Sequence, residues 1–306
     1  MISIVTPTFN EEQNIKKLYL EIKEIFTRIN LEYEQIIIDN NSTDGTINII
    51  KKIALEDKKI KVIINQKNFG HIRSPYYGLL QTSGDASILI SSDFQDPPEL
   101  IEKFIDKWKE GNKVVLAQKT SSDEGYIIKN IRKIYYKFLK KISSTQLTIN
   151  TTGAGLFDKE VIKSLKNTED PYPYLRGLVM SFGYKFTLVQ FEQPIRKFGK
   201  TKNNLFSLID IGMLGIIKHS ILPIRLMTIL GFASSILFFG ISVAYLMLKI
   251  FFWNSFQSNI APLLIGIFLI GSIIIFMLGL IGEYIKVIMD YSKKGPIIIE
   301  KERINF

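Results

Sequence analysis

Ser91, Ser92, Asp93, Phe94, Gln95, Asp96, Pro97, Pro98 and Glu99 bring carboxylates, an amide and hydroxyls into one short stretch. Hard oxygen donors of this kind suit Mg²⁺ or Mn²⁺ held jointly with substrate phosphates. The stretch follows the apolar run Ala86 to Ile90, short enough for a strand buried on both faces. Pro97, Pro98 and Glu99 read as the first turn of a helix. Acidic groups therefore gather at the C-terminal end of a strand, the edge at which open α/β sheets bind ligands. A capped strand-to-helix turn with solvated carboxylates has the same local composition.

The elements that must position these residues can be read in order. Ile2 to Val5 is strand-like, and Asn10 can cap a helix running to about Ile29, with Gln13 placed to complete a capping box. Gln35 to Asp39 is a second strand, ending in the turn residues Asp39 to Thr46, which also cap the next helix. Lys61 to Asn65 is a third strand, and a helix over Ser74 to Thr82 leads into the strand before Asp93. This alternation predicts an α/β, Rossmann-like domain with a mostly parallel sheet. Lys113 to Ala117 continues the pattern. Ile128 to Lys141 is a basic, aromatic helix that suits either a membrane surface or packing on the sheet. Gly153 to Asp158 reads as a short strand needing close backbone approach, Phe186 to Gln190 as the last strand, and Asn204 to Ile221 as an amphipathic helix.

From Leu226 to Leu248 and from Asn254 to Gly282 no charged residue occurs. Each stretch exceeds the roughly 20 residues that cross a hydrocarbon core, so a two-helix transmembrane hairpin is expected. Met1 leads directly into a strand without a charged leader, and basic residues flank the spans at Lys218, Arg225, Lys286, Lys293, Lys294, Lys301 and Arg303. Both ends are then expected on the cytosolic side. The predicted organisation is a cytosolic transferase domain over 1–203 and a juxtamembrane amphipathic helix over 204–225. Two spans follow within 226–282 (about 226–250 and 258–282), with a cytosolic tail over 283–306. Gly231, Ala233, Ser234, Ser235 and Gly240 in the first span, with Gly266, Gly271 and Gly279 in the second, permit a hairpin or homo-oligomer contact. The absence of cysteine excludes disulfides and thiolate metal sites. A net charge of +10 would suit nucleic acid, but many of the basic residues cluster near the predicted membrane and no nucleic-acid motif is present.

Val5-Thr6-Pro7-Thr8-Phe9-Asn10-Glu11-Glu12, Asp39 to Thr46, and Ser92 to Glu99 together resemble the family 2 glycosyltransferases of GT-A fold. With Arg196-Lys197-Phe198-Gly199-Lys200-Thr201-Lys202, the two spans and Gly282-Glu283-Tyr284, the chain is similar to the polyprenyl-phosphate branch. That branch includes bactoprenol glucosyltransferases and dolichyl-phosphate mannose synthases. The resemblance implies transfer of one sugar from a nucleotide-sugar, a UDP-sugar favoured by bacterial members, to a polyprenyl phosphate such as undecaprenyl phosphate. The transfer would invert the anomeric carbon on the cytosolic face of the inner membrane, for a cell-surface glycan. Alternatives are a catalytically silent membrane scaffold and a transferase acting on a glycan acceptor.

By the same resemblance Pro7 and Glu11 belong to the nucleotide-binding loop, Asp39 reads the base, and Asp93 with Gln95 holds the metal, Mg²⁺ or Mn²⁺. Arg196, Lys200 and Lys202 match the basic loop over the diphosphate, although juxtamembrane lipid attraction accounts for such charges equally. Asp44 is assigned to capping. Arg132 and Lys137 are nominated for the acceptor phosphate because they can share a helix face. Asn68-Phe69-Gly70-His71 could line the nucleotide pocket, with His71 in a structural role. The chain departs from the family at Ser91, where Asp-x-Asp is common, and at Gly153 to Phe157, where relatives carry Gly-Asp-Phe-Arg.

Overall fold

Ile36, Ile37 and Ile38 are wholly buried, and a β-branched run with no exposed face belongs in the middle of a sheet covered on both sides. The computed structural model describes residues 1–120, 151–168, 170, 173–194, 222–252, 260–292 and 295–306. It places β2 (Tyr33–Asp39) between β1 (Ile2–Thr8) and β3 (Ile60–Asn65), all parallel. β4 (Ala86–Leu89) runs parallel to β1 on its other side. β5 (Val114–Lys119) and β4 both pair antiparallel with β6 (Thr151–Asp158). β7 (Phe186–Phe191) lies parallel to β5 at one edge, and β8 (Glu300–Ile304) antiparallel to β3 at the other. The order is β7-β5-β6-β4-β1-β2-β3-β8. The expected α/β, mostly parallel arrangement is therefore the one observed, with β6 and β8 running against it.

One face of this sheet is covered by α1 (Ile15–Ile29), α2 (Thr46–Glu56) and α4 (Leu100–Lys109). The other is covered by α3 (Gly70–Leu80), α5 (Lys159–Lys166) and α6 (Leu175–Ser181). α1 shows why these helices dock: Ile15, Leu18, Tyr19, Ile22, Ile25 and Phe26 form one buried stripe. Each large apolar side chain so buried contributes about 1.5 to 3 kcal/mol. α3 lies directly on the sheet, since a Cβ at Gly78 would stand 2.6 Å from Val5 Cγ1. Gly155 has the close backbone approach expected of it, with a Cβ position 2.5 Å from the Val115 carbonyl oxygen.

Local boundaries differ from expectation where side chains find tertiary partners. Asn10 does not cap α1; it adopts a left-handed φ of 57°, and its side chain bonds Thr43. The helix instead starts from a turn in which the Asn14 and Ile15 amides both donate to the Glu11 carbonyl. Pro97 and Pro98 precede α4 rather than forming its first turn, their carbonyls accepting from Leu100 and Ile101. The last strand is β8, drawn from a segment expected to be only a tail.

Met1–Gly215 with Lys293–Phe306 form one compact unit and Ile216–Ser292 a second. The second contains α7 (Leu222–Phe251) and α8 (Ile260–Ser292), helices of 30 and 33 residues. They touch where Gly231 faces Met277, whose Cε is 3.7 Å from the glycine's Cβ position. Among the described residues one window, Ile224–Ile241, is long and apolar enough to cross a membrane, with mean hydropathy 1.9 and none of it buried. One of the two expected spans is found in this form, and α8 yields no second such window among the described residues. The helices expected over 128–141 and 204–221 lie outside the described residues.

At the N-terminal end of the parallel strands, Glu34 is buried and accepts from Lys61 Nζ (2.7 Å), Ser3 Oγ (2.5 Å) and the Ser83 amide and hydroxyl (both 2.8 Å). Burial alone would raise this carboxyl, but the bonds from Lys61, Ser3 and Ser83 hold it below its ordinary value. Its contribution to stability is thus present above the ordinary carboxylate pKa and lost as pH falls through the lower folded value. Lys61→Met should cost about 3 kcal/mol at pH 7, because it strands a buried charge. Thermal unfolding in detergent should show the gap from wild type narrowing only below the carboxylate's ordinary value of 4.5; a pH-independent gap would contradict the assignment.

Candidate functional site

Parallel pairing in register carries the C-terminal ends of the central strands to one edge. Thr8 stands beside Asp39, and Asp39 beside Ile64, one residue before Asn65. The loop after β4 leaves the same edge, held there by Ile90 N–H donating to the Val5 carbonyl. Ser92 Oγ donates to the Pro7 carbonyl at 3.0 Å, joining the first and fourth loops.

Asp39 is wholly buried and accepts from the Ser42 amide (2.8 Å) and hydroxyl (2.5 Å). Burial pushes its carboxyl above the ordinary value, against the pull of both Ser42 bonds. The Asn10 amide donates to Ser42 Oγ at 2.8 Å, so the first loop reaches Asp39 through one hydroxyl. Asn10 Oδ1 also accepts the Thr43 amide at 2.8 Å. Glu11 is buried; its amide donates to Thr46 Oγ1 (2.9 Å), and its carboxylate accepts from Asn14 (2.7 Å). Asp44 accepts the Thr46 amide at 3.0 Å, at the start of α2. Glu12 accepts the Gly45 amide at 2.8 Å, and a Cβ at position 45 would stand 2.8 Å from that oxygen, so a larger residue there would push the carboxylate aside.

Asn40 ties the second loop to the third. Its amide group donates to Asn68 Oδ1 (2.8 Å) and the Gly70 carbonyl (3.3 Å), and its oxygen accepts from Asn65 (3.0 Å) and the Phe69 amide (2.9 Å). Asn65 also donates to Ser74 Oγ at 3.1 Å. His71, at the start of α3, is exposed.

Asp93 is partly exposed, and its Oδ1 accepts the Gln95 amide at 3.2 Å. Between them Phe94 has a φ of 58°, a left-handed conformation that costs a non-glycine residue about 1 kcal/mol or more. Its ring is anchored against the core, with Lys17 Nζ 5.4 Å from the centroid. Asp96 is only 4% exposed. Burial pushes it up to about 6, and the nearby Asp93 charge adds to that; the Thr152 and Ser91 hydroxyls and Lys119 pull the other way. Among the described residues Asp96 Oδ1 has no hydrogen-bond partner. No group of three or more His, Cys, Asp or Glu side chains suited to a metal occurs among the described residues.

The sequence model for "Glycosyl transferase family 2" matches residues 3–166, which span β1 through α5 and all of these loops. The chain belongs to glycosyl transferase family 2. Across nearly its whole length it is similar to an uncharacterized glycosyltransferase, YkcC, of Bacillus subtilis, at 33% identity over 97% of this chain and 92% of that one. It is 31% identical to a bactoprenol glucosyl transferase of Shigella phage SfV, over 99% of both chains. A solved structure of glucosyl-3-phosphoglycerate synthase from Mycobacterium tuberculosis, in complex with Mn²⁺, UDP-glucose and phosphoglyceric acid, aligns with a TM-score of 0.47 at 20% identity. That alignment covers 71% of this chain and 77% of the other.

Of the residues the family pattern implicates, Pro7, Glu11, Asp39, Asp93 and Gln95 all lie in the loops or strand ends of this one edge. Arg132, Lys137, Arg196, Lys200 and Lys202 lie outside the described residues. Sequence reasoning passed over Asn40 and Asn65, and left Asp96, beside two prolines, between a site role and fixing the turn. Asn40 was legible only as one of several turn residues, yet it closes a hydrogen-bonded array whose members come from three segments. Asn40→Ala should leave the Phe69 amide unpaired, strip the Asn65 amide of one of its two acceptors and destabilise the domain by about 2 kcal/mol. Hydrogen exchange should then accelerate at the Phe69 amide; unchanged protection there would refute the coupling of these loops.

Proposed function

We propose that this family 2 member moves one sugar from a nucleotide-sugar, with UDP-sugars preferred, to a polyprenyl phosphate, inverting the anomeric centre. One observation carries the reading. The chain matches a bactoprenol glucosyl transferase over 99% of its length, and its carboxyl edge gathers Asp39, Asp93 and Gln95.

The chemistry is consistent with those groups. A phosphate monoester with a second pKa near 6 is largely dianionic at neutral pH, so it attacks without a general base. A phosphate oxygen forms the new bond to the anomeric carbon from the face opposite the leaving group. The bond to the nucleoside diphosphate breaks, and that group departs with the electron pair. The protein's tasks are alignment and charge stabilisation. Asp39, buried and held by Ser42, is suited to accept an N–H from the base. Pro7 and Glu11 shape the loop beside it.

The edge also fits a hard divalent cation. It offers carboxylate and amide oxygens, and one buried oxygen of Asp96 has no hydrogen-bond partner among the described residues. Asp93 and Gln95 are the residues that would hold Mg²⁺ or Mn²⁺, which would neutralise the departing diphosphate. We assign the diphosphate clamp to Arg196, Lys200 and Lys202, and the acceptor phosphate to Arg132 and Lys137, on the family pattern and their charge.

Support for membrane attachment comes from the apolar window in α7 and from the uncharged run Asn254 to Gly282, of which Ile260 to Gly282 lies in α8. We read the two as a hairpin that keeps the transferase domain at the cytosolic face of the inner membrane, where lipid phosphate is presented. Close helix contact at small residues such as Gly231 also suits a homo-oligomer.

The deciding assay incubates purified protein with Mg²⁺, undecaprenyl phosphate and a panel of nucleotide-sugars, and detects glycolipid by mass spectrometry. A product is expected with a UDP-sugar; none with any donor would leave the silent-scaffold alternative that Ser91 motivates. Asp93→Ala should lower turnover by a factor of about 100 or more, and EDTA should abolish it. Asp39→Asn should weaken UDP binding about tenfold, the scale of a lost charge-assisted hydrogen bond. Full activity in EDTA would remove the metal from the account.

A further inference from the structure

The Asp96 side chain is buried, yet the groups around it leave one of its oxygens unmatched. It does not cap α4, whose first amides are taken by the Pro97 and Pro98 carbonyls. It forms no ion pair among the described residues, and its Oδ1 accepts no hydrogen bond there. A buried carboxylate with an unmatched oxygen is costly. A turn alone would be served by asparagine or serine at lower cost.

The surroundings point to a use. Ser91, in the loop after β4, and Thr152, at the start of β6, place hydroxyls beside the Asp96 carboxyl. A carboxylate at position 91 would instead set a further negative charge against Asp96. The serine that removes one acidic group is therefore also what lets the buried one be oriented.

We propose that Asp96 is the second charged ligand of the divalent cation at this edge, supplying with Asp93 the carboxylate that position 91 lacks, while Ser91 and Thr152 orient it. This rests on the reading of the edge as a cation and diphosphate site. Ligation satisfies the oxygen that the surrounding side chains leave unmatched.

The test measures Mn²⁺ uptake by the full-length protein in detergent with UDP present, reading free Mn²⁺ by electron paramagnetic resonance. Thermal unfolding serves as the check on folding. Wild type should bind, Asp93→Asn should lose binding, and Asp96→Asn should bind about tenfold more weakly or worse. Adding Ser91→Asp to Asp96→Asn should restore most of the affinity, since it returns a carboxylate to the same pocket. If Asp96→Asn fails to fold, Asp96→Ser carries the same expectation in a smaller side chain. Wild-type affinity in Asp96→Asn alongside loss in Asp93→Asn overturns this inference alone, as does a loss that Ser91→Asp does not rescue. No uptake by wild type with UDP overturns the cation reading of the whole edge.

Discussion

The arrangement depends on polar side chains buried where the parallel strands end. Asp39, Asn40 and Asn65 occupy positions that the sheet's own pattern would fill with apolar residues, and each is buried. Their hydrogen bonds reach the loops that follow β1, β2 and β3: Asn10 through Ser42, Thr43 through Asn10, and Asn68, Phe69 and Gly70 through Asn40. Buried polar groups must be satisfied, so the loops have one arrangement that leaves few of them stranded. Loops that would otherwise be the least specified part of an α/β domain are thereby fixed by the same rule that fixes its core.

The two ends of the parallel strands treat buried carboxylates in opposite ways. At the N-terminal end Glu34 is matched by Lys61 and three further donors, and its proton affinity is lowered. At the C-terminal end burial dominates for Asp39 and Asp96, whose proton affinities are raised. One end is matched as folded, while at the other burial outweighs the hydrogen bonds that Asp39 and Asp96 accept. Phe94 adds local strain at the same place, its left-handed backbone held by a ring anchored on the core. Perturbed carboxyls and strained backbone collected at one edge mark a site organised for a ligand rather than for stability.

Much of the fold was legible from short-range pattern. Ile-rich runs bounded by turn residues located the parallel strands, and Gly155 announced the close approach of β5 and β6. What failed to show depended on partners distant in the chain. β8 reads as a solvated tail because Glu300, Lys301, Glu302 and Arg303 are all charged, yet such residues suit an edge strand that discourages further pairing. Its pairing with β3 is a contact no local pattern encodes. Asn10 looked like a cap and is a hook, because Thr43 offers it a better partner. Asp93 was read directly from its place after an apolar run. The burial of Asp96 was not, and one hydroxyl beside it, that of Thr152, is carried on a strand that arrives much later in the sequence.

The central claim is that the loops after β1, β2 and β4 form one site for a nucleotide and a divalent cation. Paramagnetic broadening of backbone amide resonances by Mn²⁺ with UDP, in deuterated protein, tests it most directly. The account predicts that amides of Asp93 to Asp96 disappear first, followed by those of Asp39 to Thr43, while amides near Glu34 at the opposite end of the strands stay sharp. Broadening centred away from the carboxyl edge, or spread evenly over the domain, would contradict it.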